Sequence, residues 1–181
     1  MVLTYHLEKW EDREIVKVEL MEEDTKGISS IVPERSLGEN YKIFVAVLEE
    51  YEGILKKARS SQIFGLFEKL EEYFPEHPKV LFALSCSMLE LFSKRYKVDF
   101  KEMLDVPGRK VERMEAPSFR NSLIYPEMVG HVFRVAGFLS AMRSVGEDVY
   151  LVVRNYPDAT TNTVIGILKK FSNGFIEGQW G

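Results

Sequence analysis

A single cysteine, Cys86, among 181 residues excludes an intramolecular disulfide and points to a reducing compartment, the cytoplasm. Histidine is nearly as scarce. His6, His77 and His131 stand far apart, without the short spacings of a zinc site. No apolar run approaches the roughly 18 residues needed to span a bilayer. The first nine residues alternate and carry charge, so they do not read as a signal peptide. Charge of one sign is also missing. Lys and Arg number 24 against 28 Asp and Glu, a net −4, which gives no general attraction to nucleic acid or anionic membranes. No internal repeat or low-complexity segment stands out, and no glycine-rich cradle precedes the helix expected from Thr160.

What is present is core material. Hydrophobic residues make up 45% and aromatics 12%, ample for a packed interior. Residues 2–8 alternate Val2, Thr4, His6 and Glu8 against Leu3, Tyr5 and Leu7, the pattern of a half-buried strand. Residues 15–21 alternate again, and 28–32 follow a polar turn containing Gly27. Pro33 ends that run, because proline cannot donate to a ladder. The spacing predicts a three-stranded antiparallel meander.

Three helices are predicted next, over roughly 39–58, 61–74 and 78–96. Ser60 or Ser61 is a candidate cap for the second. The third is apolar on nearly all sides from Val80 to Leu91 and should be the most buried. A short helix is predicted over 99–104. Residues 105–118, with Pro107, Gly108 and Pro117, read as a linker or irregular crossing. The rhythm then becomes strand 121–125, helix 129–145 ended by Gly146, strand 148–153, helix 160–171 and strand 175–177. These lengths suggest βαβ units and a small parallel sheet. The fold class is thus α+β: an N-terminal meander plus helices over about 1–105, followed by a βαβαβ parallel unit over about 106–181.

These residues resemble the enolase family with the middle removed. Lys9 to Ile15, then Val16-Lys17-Val18-Glu19-Leu20, take the places of the enolase link Asp-Ser-Arg-Gly-Asn-Pro-Thr and strand Val-Glu-Val-Asp-Leu. Gly27 leads to Val32-Pro33 and then Glu34-Arg35-Ser36-Leu37-Gly38, where enolases have a strand ending in Val-Pro and a Ser-Gly-Ala-Ser-Thr-Gly loop. The helix through Val80 to Tyr96 resembles the apolar helix that closes the capping domain. Asn121-Ser122-Leu123-Ile124, Val149 to Val153 and Gly174-Phe175-Ile176-Glu177 resemble the last three strands of the enolase barrel.

The resemblance implies a capping-domain-like region joined to a remnant of a TIM-like barrel. It does not bring the chemistry. Removing a proton beside a carboxylate needs a strong base and a divalent metal. The family's base position falls at Tyr125 or Pro126, its His-Arg-Ser becomes Asn155-Tyr156-Pro157, and its eighth-strand lysine becomes Glu177. A full barrel needs about 250 residues, and 76 remain after Asp105 (181 − 105). The resemblance therefore implies a pseudoenzyme with a binding or assembly role. No catalytic residue and no cofactor are expected, with magnesium only if enolase-like lyase activity survives.

The alternative is a binder of a small carboxylate or phosphate, or a repurposed lyase-like enzyme, using the carboxyl ends of the strands. That picks out Arg35, Ser36, Glu127, Arg154, Asn155, Asp158 and Thr160, with Thr161 beside them. Arginine suits carboxylate and phosphate. Against this, Asp158 or Thr160 can simply cap a helix. The basic run Lys94 to Arg113 is interleaved with acids and reads as a solvated face, not a nucleic-acid surface. Cys86 reads as a small buried hydrophobe. A barrel remnant has open sheet edges, which predicts a homodimer, or else a compact monomer in which the remnant packs on the capping helices.

Overall fold

The computed structural model describes residues 1–10, 13–99, 112–113, 122–146, 149–153, 160, 163 and 174–177. The alternation of the opening residues produces β1 (Val2–Trp10), β2 (Arg13–Glu22) and β3 (Thr25–Ile31). They form the expected meander, in the order β1-β2-β3. Register runs from Val2 opposite Met21 to Trp10 opposite Arg13, and from Val16 opposite Ile31 to Glu22 opposite Thr25. One face buries Leu3, Val16, Val18 and Leu20. The inward pattern does not persist along β1, where Leu7 is exposed. At that end burial changes face, and Ile15, Val32 and the half-buried Trp10 form a separate small cluster.

Helix α1 (Tyr41–Leu55) begins at Asn40, whose Oδ1 accepts the N–H groups of Lys42 and Ile43 at 3.0 and 3.2 Å, offsetting two of the donors every helix start leaves open. Helix α2 (Ile63–Tyr73) is preceded by a 3₁₀ turn, Ser60–Gln62. Ser60 does not cap α2 as expected. Its hydroxyl and its N–H both go to Glu22 Oε2, because the β2–β3 turn packs on this corner and offers a charged acceptor. Helix α3 (Pro78–Tyr96) takes proline in its first turn, where no donor is lost. It is buried continuously from Lys79 to Leu89. The cause is its position: it packs on β2 and β3, on α1 and α2, and on the segment that follows β5. At roughly 1.5–3 kcal/mol for each fully buried large apolar side chain, α3 is the main hydrophobic contributor.

The second half has β4 (Glu112–Arg113), β5 (Ser122–Ile124), a 3₁₀ turn at Pro126–Met128, α4 (Val132–Ser144), β6 (Val149–Val153) and β7 (Gly174–Glu177). All pairs are parallel, in the order β4-β7-β6-β5. Three strands are expected from the sequence; the fourth, β4, falls inside the segment read as a linker. Two charged residues carry no periodicity, so pairing with β7 alone makes them a strand. Gly146, at φ +80°, follows the end of α4 as expected. Val132, Val135, Ala136 and Leu139 of α4 belong to the same core as the meander and α1–α3. Thr160 and Thr163 are helical. The rest of the helix expected over 160–171, and all but Asp99 of the one expected over 99–104, lie outside the described residues. No helix among the described residues is long and apolar enough to cross a membrane.

Candidate functional site

The end of the meander where burial changes face opens into a cleft of about 740 Å³. Lys9, Arg13 and Glu14 line it from the β1–β2 hairpin, Val32 to Arg35 from the chain leaving β3, and Glu39 to Tyr41 from the start of α1. Val32, packed on Ile15, gives it an apolar base.

The loop forming one wall is tied by a hydrogen bond and an ion pair. Arg35–Leu37 is a 3₁₀ turn closed by Gly38 at φ +74°, a conformation that glycine adopts without strain. Glu39 Oε2 accepts the N–H of Glu34 at 2.8 Å and the ammonium of Lys79 at 2.7 Å. Lys79 is only 3% exposed, so this ion pair anchors the loop to the first turn of α3. A buried lysine needs such a partner, since breaking one member of a buried pair costs about 3–5 kcal/mol.

Arg35 differs. Its side chain is 90% exposed and meets Glu14 at 3.8 Å, an interaction worth about 0–1 kcal/mol and easily exchanged for an anion. The lining holds three cations and three carboxylates, and Lys79 neutralises one of the carboxylates, Glu39.

The structure brings some of the sequence candidates to this end and not others. Arg35 and Ser36 stand in the turn. Thr160 is buried, and its Oγ1 accepts the N–H of Ser30 on β3 at 3.1 Å, two residues before Val32. Its hydroxyl closes a strand edge. Glu127 is buried in the turn after β5. Arg154, Asn155, Asp158 and Thr161 lie outside the described residues. The histidines do not converge. His6 meets Glu8 at 2.7 Å on the meander, His77 precedes α3, and His131 precedes α4. Cys86 is buried in α3. Among the described residues no three His, Cys, Asp or Glu side chains are placed to hold a metal ion. The Glu39–Lys79 anchor has no signature in the sequence, because forty residues separate its members. The one available hint was a lysine placed in an otherwise apolar helix start.

An antiparallel meander with helices, followed by a four-stranded parallel β/α sheet, defines the class: an α+β fold with a capping-domain-like first part. No protein-family profile and no curated protein matches the sequence. Solved structures do match. A mandelate racemase/muconate lactonizing protein from Herpetosiphon aurantiacus has 13% identity and a TM-score of 0.56, the match covering 97% of this chain and 50% of that one. A dipeptide epimerase from Methylococcus capsulatus, complexed with Mg ion, has 17% identity and a TM-score of 0.51, with 96% and 50% covered. A racemase from Streptomyces coelicolor A3(2) with bound magnesium has 11% identity and a TM-score of 0.51, with 99% and 55% covered. These are enolase-superfamily structures. The resemblance to enolases read from the motifs therefore holds at the level of fold. The chain spans about half the length of the structures it matches.

Proposed function

We propose that this chain is a non-catalytic, enolase-like protein that binds a small carboxylate- or phosphate-bearing ligand in the cleft at the tip of the meander. The observation that carries the reading is the exposed Arg35 guanidinium, on a loop anchored through Lys79, at a cleft that Lys9 and Arg13 line from the β1–β2 hairpin. A guanidinium on a fixed loop offers paired donors to a planar oxyanion. The base position of the enolase frame supports the non-catalytic part, since it falls at Tyr125 or the buried Pro126 and the lysine that the frame would hold there is missing.

Titration calorimetry with inorganic phosphate and with malonate tests the reading. Binding of one or both is expected, weakened on the order of tenfold or more by Arg35→Ala, in line with about 1.5–3 kcal/mol for a hydrogen bond to a charged group. Equal affinity in wild type and Arg35→Ala would refute the site. No dehydration of 2-phosphoglycerate is expected with magnesium present. Turnover that disappears in Arg35→Ala would replace binding with catalysis.

A second reading, assembly as a homodimer, is favoured by the four-stranded parallel sheet, in which β4 and β5 are edges among the described residues.

A further inference from the structure

His131 stands immediately before α4 and is buried. Its Nδ1 accepts the backbone N–H of Arg134 at 3.3 Å. The ring thus caps the first turn of α4, a task usually given to Ser, Asp or Asn. Its face stacks on Phe67 of α2, with centroids 5.3 Å apart and planes at 12°. Its Nε2 lies 3.6 Å from Glu71 Oε2 on α2, and the Arg134 guanidinium holds the other oxygen of that carboxylate. Helix α3 contributes the neutral Ser85 hydroxyl, which accepts the N–H of Val132 at 3.2 Å. The charged groups acting on the ring are Glu71 and Glu68 of α2 and Arg134 of α4. One imidazole therefore joins the start of α4 to the face of α2.

We propose that His131 is an acid-releasable latch: neutral, it caps α4 and seats it on α2; protonated, it frees the start of α4. The chemistry lies in Nδ1. That nitrogen accepts a hydrogen bond only without a proton. Once protonated it presents a donor to the donor of Arg134, and the cap opens. Burial holds the ring below its usual value of 6.5, assisted by Arg134 and opposed by Glu71 and Glu68. The folded ring thus resists a proton that the unfolded chain takes up. The latch is complete above pH 6.5, and its contribution is lost as pH falls from there through the lower value of the folded ring.

Hydrogen exchange of α4 amides between about pH 7.5 and 5, corrected for intrinsic rates, tests this. Protection in the first turn of α4 is expected to fall by up to about tenfold for each pH unit below 6.5 while the folded ring stays neutral, with α1 unchanged. The step should vanish in His131→Asn, which keeps a cap acceptor that does not titrate, and persist in Glu71→Gln. A step that survives in His131→Asn, or that Glu71→Gln abolishes, overturns the proposal, as does pH-independent protection. Should His131→Asn fail to fold, ring-proton titration of the wild type decides. A midpoint shared with the α4 amides supports the latch, and a separate one refutes it.

Discussion

Gly27 shows how much one position can settle. A Cβ there would lie 1.8 Å from the carbonyl oxygen of Ser87 and 2.7 Å from the nitrogen of Leu91. Both are backbone atoms of α3 and cannot swing aside. Gly27→Ala must push β3 off α3, and its cost is expected at or above the roughly 1–3 kcal/mol usual for overpacking. Urea denaturation measures it, and a loss under about 0.5 kcal/mol would mean that the strand is not seated this closely. In the sequence Gly27 reads only as part of a turn between two alternating runs. Its second role, letting a strand touch a helix sixty residues further on, leaves no local pattern. The same holds for Lys79 and Glu39, and for the ring of His131. Burial of a charged or polar group is legible only when its partner is close in sequence. Arg35 is legible as a candidate through the place of its loop, after Val32-Pro33, in the enolase-like frame, and through the affinity of arginine for carboxylate and phosphate.

At the scale of elements, segments with an apolar pattern of their own are readable, and one that exists only through its pairing is not. The meander, α1–α3 and α4 all carry a repeat of two or near 3.6 residues, and each formed about where its repeat lies. β4 carries no repeat and exists only through β7. The outer edge of β3 is a further case. Its Ile28 N–H goes to Glu90 Oε2 at 2.5 Å and its Ser30 N–H to Thr160 Oγ1, so side chains from α3 and from the second half close an edge that would otherwise be open to another strand. Thr160→Val keeps the shape and removes the acceptor. It is expected to cost about 1–3 kcal/mol, the penalty for a buried donor left unmade, and to speed exchange of the Ser30 amide selectively. Unchanged exchange at Ser30 would show that water or another group serves that N–H.

For the whole molecule, the sheet order has a consequence for assembly. A β/α barrel closes because its first strand pairs with its last. Here the earliest strand of the sheet, β4, pairs with the latest, β7, and β5, next after β4 in sequence, stands at the opposite edge. The β4–β7 pairing thus joins the first and last strands of a four-stranded parallel sheet among the described residues. Packing of α4 into the core covers that helix but gives β4 and β5 no outer partner among the described residues. Both edges run in the same direction, and we propose that two copies pair through these open edges about a two-fold axis along the strands. Light scattering at micromolar concentration is expected to give twice the 20.9 kDa of one chain. Shortening the seam with Leu123→Pro, which removes a ladder donor from β5, should return the mass to a single chain while the helical circular dichroism of α1–α3 persists. A wild-type mass of 20.9 kDa throughout would mean that the edges are covered from within the chain, and the assembly reading would fall, leaving the Arg35 cleft to stand on its own titration.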